Sequence, residues 1–256
     1  SCGWGMTSSL CAGLPRLRRE VRETDRFTRH RASRLRAGEA PVGIWSWHRP
    51  ISGLARTHPW RALGITTAAG LFAIGETSVF QFTGYFTQTV HGWSPGQYSA
   101  MVLVGGGVGI FGNVVAGQLG DRIGRRVVGC VFLTLFPVFA WLFYRGPGWS
   151  VPLAWTLFIF CETAAGAVIR AFSTELFPTS QRGTSAGWVS LVQTLGWAAG
   201  LALVGMGTEA PGDIARLTSA LSLTTLAAAV VILMLPETRR RELEAISGED
   251  AAARPA

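Results

Sequence analysis

The stretch GQLGDRIGRR, residues 117–126, decides how this chain is read. Its three arginines and one aspartate follow directly on AMVLVGGGVGIFGNVVAG, residues 100–117, which carry no charge. Another apolar run opens at Val127. A glycine-punctuated, charged hinge between two greasy stretches has no place in a soluble core. It fits a tight turn at a bilayer surface between two membrane-crossing helices.

Working outward, six runs are long enough to span a hydrocarbon layer, which takes about 20 mostly apolar residues. They cover residues 62–90, 100–117, 127–144, 151–173, 183–206 and 217–235. One such run could be a buried helix of a soluble protein; six joined by short polar loops could not. Composition agrees. Charged residues make up 15% of the 256, against about 25% in soluble domains, and mean hydropathy is +0.31. The expected fold is therefore all-α and integral to a membrane. A basic segment (1–61) precedes the bundle (62–235) and a tail (236–256) follows it.

The net charge of +8 is carried by arginine alone, with no lysine. If both termini and the even loops are cytoplasmic, 20 of the 23 arginines fall inside. Only Arg145 and Arg216 then lie outside, and Arg170 lies within a span. That asymmetry sets the orientation. It also makes the basic segment a neighbour of anionic lipid rather than a nucleic-acid binder.

GVGIFG, residues 107–112, fits the dinucleotide fingerprint G-x-G-x-x-G. That site needs an acidic residue about 20 positions on, closing a second strand. None stands near Val127–Leu135, and Asp121 comes too early. The glycines read better as close-packing faces of a membrane helix, at Gly105, Gly109 and Gly112 with Gly117 beyond.

GQLGDRIGRR resembles the signature loop of the major facilitator superfamily, G-x-L-[AS]-D-[RK]-x-G-R-[RK], departing only at Gly120. ELFPTSQRG, residues 175–183, resembles the family's segment after the tenth helix. LPETRRRELEAIS, residues 235–247, resembles the tail after the twelfth helix of sugar and organic-acid porters. The resemblance covers residues 62–247 as the C-terminal six-helix half of a twelve-helix transporter. VRETDRF, residues 21–27, echoes LPETRRR, residues 235–241, as related ends of two halves would. On this reading the chain is a fragment whose missing partner is an N-terminal six-helix half.

The resemblance implies a cytoplasmic gate built from Asp121, Arg122, Arg125, Arg126, Glu175, Arg182 and Glu237. Gly120 and Gly124 would allow its sharp turn, and Asp121 would accept N–H groups from a facing helix start. Arg125 and Arg126 would reach Glu175 and Glu237.

Within the spans, Glu76, Glu162 and Arg170 stand out. An ionised side chain at a helix centre costs about 2.5–3.5 kcal/mol on insertion scales, so each should face a cavity. Glu76 heads an expected polar stripe with Thr77, Gln81 and Gln88, beside Thr83 and Thr87. Glu162 and Arg170 share a helix face and form an expected pair. Gln193, near Thr194, Trp188 and Trp197, is a further cavity candidate.

Trp47, Trp60 and Trp149 read as interfacial anchors. Cys2, Cys11, Cys130 and Cys161 lack metal-ligand spacing, and His30, His48, His58 and His91 fall in loops. No nucleophile–base motif appears, so neither an enzyme nor a cofactor is expected. The expectation is a proton-coupled transporter of a small polar solute, a sugar or organic acid, in the cell membrane. The rival is a transport-incompetent bundle that acts only through partners.

Overall fold

The computed structural model describes Leu54, Arg56 and residues 58–177 and 181–238. Residues 1–53, which hold Trp47, His30, His48, Cys2, Cys11 and the echo at 21–27, lie outside the described residues. So do residues 178–180 and the tail from residue 239.

Among the described residues every regular element is helical. The helices are α1 (Pro59–Phe80), α2 (Thr83–Val90), α3 (Pro95–Ile123), α4 (Arg125–Arg145), α5 (Val151–Glu175), α6 (Arg182–Gly207), α7 (Pro211–Ser222) and α8 (Thr224–Met234). A short 3-10 turn, Gly148–Ser150, leads into α5. Six stretches are long and apolar enough to cross a membrane, here spans 1 to 6: Pro59–Val90, Pro95–Ile123, Arg125–Arg145, Gly148–Glu175, Arg182–Gly207 and Gly212–Met234. All six expected spans are present. Span 2 grows most, at both ends, and its earlier start rests on a capping box: the Gln97 N–H donates to Ser94 Oγ and the Ser94 N–H to Gln97 Oε1 at 2.9 Å.

Two spans expected to be continuous are broken. Span 1 is interrupted at Gln81–Phe82 and span 6 at Leu223. Hydroxyls cluster at both breaks. Ser and Thr side chains that bond carbonyls three or four residues back compete with the helix's own ladder. Ser78 donates to the Ile74 carbonyl and Thr83 to the Phe80 carbonyl around the first break. Ser222, Thr224 and Thr225 donate to the carbonyls of Ser219, Leu221 and Ser222 around the second. Hydrocarbon offers no water to the groups set free, so the protein supplies partners. The buried Tyr144 hydroxyl donates to the Val79 carbonyl at 2.6 Å. Thr224 and Thr225 also bond the carbonyls of Leu71 and Leu133, on spans 1 and 3, at 2.8 and 3.0 Å.

Packing follows a repeating scheme. Span 4 lies against spans 2 and 3, span 1 against spans 5 and 6, and spans 3 and 6 against each other. Exchanging spans 1–3 with spans 4–6 leaves the scheme unchanged. The bundle is thus two interleaved three-helix units of opposite direction. The tightest seams run at glycine. Gly105, Gly109 and Gly112 of span 2 are buried on Trp155, Ile159 and Thr163 of span 4. Gly196 and Gly200 of span 5 seat on Ala73 and Thr77 of span 1. Gly105, Gly109 and Gly112 are therefore packing positions, as expected, whereas Gly117 and the first fingerprint glycine, Gly107, meet nothing within 4 Å. Aromatic rings fill one end of the interior. Trp155 and Phe158 meet edge to face at 4.9 Å, as do Phe143 and Tyr144.

Trp60 and Trp149 stand 82% and 79% exposed at the starts of spans 1 and 4, as interfacial anchors should.

The seams make a direct prediction. Gly109→Val forces a side chain into Ile159 and should destabilise the bundle by about 1–3 kcal/mol, the usual effect of overpacking. Gly106→Val, which meets open space, should leave the melting temperature of the detergent-solubilised protein unchanged. Equal melting of the two variants would contradict the seam.

Candidate functional site

Polar chemistry concentrates in two places: a clasp at one end of the bundle and a set of charged groups within it. The clasp is built on Gly124, whose φ of 109° joins α3 to α4 in a region that side chains avoid. A Cβ there would also meet Glu237 Oε2 at 2.8 Å. Gly120 is helical, so Gly124 alone makes the turn. Because α4 starts without a side-chain cap of its own, its first N–H groups need an acceptor. Glu237 supplies it. Its two carboxylate oxygens accept the Arg125 and Arg126 N–H groups at 3.0 and 3.2 Å, complementing the positive end of the helix dipole.

This corrects the expected division of labour. Asp121 does not receive helix-start N–H groups; Glu237 does, and Asp121 accepts the Arg125 guanidinium at 3.1 Å. Arg125 also pairs with Glu175, as expected. Glu175 takes the Thr238 hydroxyl at 2.8 Å on its other oxygen. Arg126 donates to the Leu233 carbonyl instead of an acid, because its backbone rather than its guanidinium faces Glu237. Arg182 makes no ion pair among the described residues, though its charge reaches Glu175. Arg122 is exposed and likewise without an ion pair there. Arg61 donates to the Leu176 carbonyl at 3.2 Å and ties span 1 to the same end. The clasp therefore joins the ends of spans 2, 3, 4 and 6.

Within the bundle, Glu76 of span 1 and Glu162 of span 4 are half-buried. Their carboxyls lie within hydrogen-bonding reach of one another. The Trp197 indole N–H donates to Glu76 Oε2 at 3.1 Å. Arg170 does not pair with Glu162. It stands two turns further along, over Gly166, and donates to Asn113 Oδ1 of span 2 at 3.1 Å. Its charge still reaches both glutamates across the intervening space.

The expected polar stripe on span 1 does not form. Thr77, Thr83 and Thr87 turn inward and are fully packed, Thr77 on Gly200 and Thr83 against the Tyr98 hydroxyl. Gln81 and Gln88 stay exposed. The break after Phe80 shifts the helical register, so residues spaced for one face end on two. Gln193 is half-buried and makes no hydrogen bond among the described residues, and Trp188 is spent on Thr66 at 2.8 Å. Sequence reasoning missed Asn113 and the meeting of the two glutamates. The second had a visible signal. LFAIGET, residues 71–77, and LFIFCET, residues 157–163, open on the same Leu-Phe and close on the same Glu-Thr.

A six-span helical bundle with charge held among its spans and an ionic clasp at one end is the architecture of a membrane transporter. The sequence model described as Major Facilitator Superfamily matches residues 8–201 and again residues 65–255. The chain belongs to that superfamily, whose members carry small solutes across membranes. Its six spans are the number in one half of a twelve-helix fold. No curated protein matches it.

The clasp predicts that Glu237→Ala uncaps α4. Loss of a helix cap costs about 0.5–2 kcal/mol, so the variant should unfold earlier on heating. Glu237→Gln, which keeps one acceptor oxygen in place of two, should lose less. A variant as stable as the parent would show that the tail does not hold the helix start.

Proposed function

We propose that this chain moves a small polar solute, a sugar or an organic acid, in symport with protons by alternating access. The observation that carries the reading is Glu76, a carboxyl held at mid-span between Trp197 and Glu162. A carboxyl among the spans sheds the charge that opposes its burial when it takes up a proton, which suits it to carry one. Arg170 and Asn113 add polar groups on the neighbouring helices, and the half-buried Gln193 adds to the candidate lining. The clasp of Asp121, Arg125, Glu175 and Glu237 is the cytoplasmic gate, with Arg122, Arg126 and Arg182 beside it. It must open when the cavity faces inward. Both termini are cytoplasmic and the membrane is the cell membrane, on the arginine asymmetry.

A second reading is favoured by the exposure of spans 2 and 5, with Leu103, Ile110 and Phe111 on one and Leu195, Trp197 and Leu203 on the other. On that reading the bundle is incompetent alone and works through a partner, a second six-helix half completing the fold.

Proteoliposomes challenged with hexoses, pentoses and mono- and dicarboxylates test both. At least one solute should accumulate only under an inside-alkaline pH gradient, and Glu76→Gln should abolish accumulation while sparing exchange. Accumulation by that variant would remove Glu76 as the coupling group. Asp121→Asn should lower transport several-fold at near-normal membrane abundance. Cysteines placed at Trp93 should label from outside intact cells and those at Arg122 should not; the reverse would invert the topology.

A further inference from the structure

The repeated LF…ET frame places Glu76 and Glu162 at matching positions of the two three-helix units, and the surroundings match as well. On span 1, the Thr77 methyl and the Ile74 carbonyl leave no room for a Cβ at Gly200 of span 5. On span 4, the Thr163 hydroxyl and the Phe160 carbonyl leave none at Gly112 of span 2. One frame position earlier, Ala73 excludes a Cβ at Gly196 and Ile159 excludes one at Gly109. Each glutamate is thus followed by a threonine locked onto a glycine of the neighbouring span. Thr163 fastens its seam further by donating to the Gly109 carbonyl at 2.6 Å. Two equivalent helices are held at one depth and one rotation, and that common placement turns their carboxyls toward each other.

The charged and polar groups around the pair can be named for each packed element. Span 1 offers Glu76, span 4 offers Glu162 and Arg170, span 5 offers the Trp197 indole, and span 2 offers Asn113, which holds Arg170. Among the described residues, no ionisable side chain of spans 3 and 6, packed on spans 4 and 1, acts on either glutamate. Neither glutamate has an ion pair among the described residues, and Trp197 supplies a hydrogen to Glu76 alone. A hydrogen bond between two carboxyls needs an O–H on one of them. A proton held between them lets the two carboxyls bond each other, the coupled behaviour of two carboxyls sharing a site.

We propose that Glu76 and Glu162 form one proton-carrying unit, each three-helix repeat supplying one carboxyl, so that Glu162 is a coupling residue equal to Glu76. The proposal rests on the symport reading above and makes it specific. When the pair loses its shared proton, two negative charges face each other across the seam between repeats. Proton release and separation of the repeats are then the same event.

The test uses the full chain, purified and reconstituted, with protons as the probe. Infrared difference spectra are recorded across pH steps for the parent, Glu76→Gln, Glu162→Gln and the double variant, following the carboxylic C=O band. If the pair is one unit, Glu162→Gln moves the midpoint of the Glu76 band by about one pH unit or more, and Glu76→Gln does the same to the Glu162 band. A Glu76 band unmoved by Glu162→Gln overturns the proposal. In proteoliposomes, each single variant and the double should lose pH-driven accumulation equally and keep exchange. A Glu162→Gln protein that still accumulates solute also overturns it. If the parent accumulates no solute under a pH gradient, the symport reading falls, while the spectra still decide whether the carboxyls are coupled. Should a glutamine variant fail to reach the membrane, Glu76→Cys/Glu162→Cys is treated with a short bismaleimide in a background with Cys2, Cys11, Cys130 and Cys161 replaced by alanine. A cross-link between spans 1 and 4 is expected, and its absence overturns the juxtaposition.

Discussion

Backbone contact at glycine is the constraint on which the rest of this bundle depends. Lipid tails are as apolar as leucine, so no hydrophobic force drives one span against another inside the bilayer. What remains is dispersion, strongest where two backbones come closest. Gly109 and Gly112 on one seam and Gly196 and Gly200 on the other allow that approach. The depth and rotation of spans 1 and 4 follow from these seats. So does the position of every polar group those helices carry.

The clasp answers a different demand at the membrane rim. A short connection between α3 and α4 leaves helix-start N–H groups that no side chain in the turn satisfies. A carboxylate from far along the sequence fills the gap, and it couples the last span to the third. Glycine at 124 is required twice, once for its φ and once for the space Glu237 occupies. A single residue type thus serves the turn and the closing contact together.

Much of this was legible beforehand because hydropathy and charge placement are local properties. All six spans could be read from the sequence, as could the charged turn and the approach of Arg125 to Glu175. What could not be read depends on rotation about helix axes. Thr77 and Glu76 are neighbours in sequence, yet one is sealed in a seam and the other faces span 4, and the break after Phe80 reassigns everything beyond it. Arg170 shares a face with Glu162, but its long side chain finds Asn113, on a helix whose placement only packing decides. The matching LF…ET frames were present in the sequence. Comparing the spans with one another, rather than with a family pattern, would have paired the two glutamates.

The interruption of span 6 has a mechanical side. Beyond Leu223, Thr224 and Thr225 are pinned to the backbones of spans 1 and 3, while the segment before it is joined to them through its own shorter helix, Pro211–Ser222. The span is therefore two levers with a fixed pivot. A tilt of the first segment has to break the Thr224 and Thr225 hydrogen bonds before it reaches the end that carries Glu237. One face of the bundle can yield while the opposite rim stays fastened.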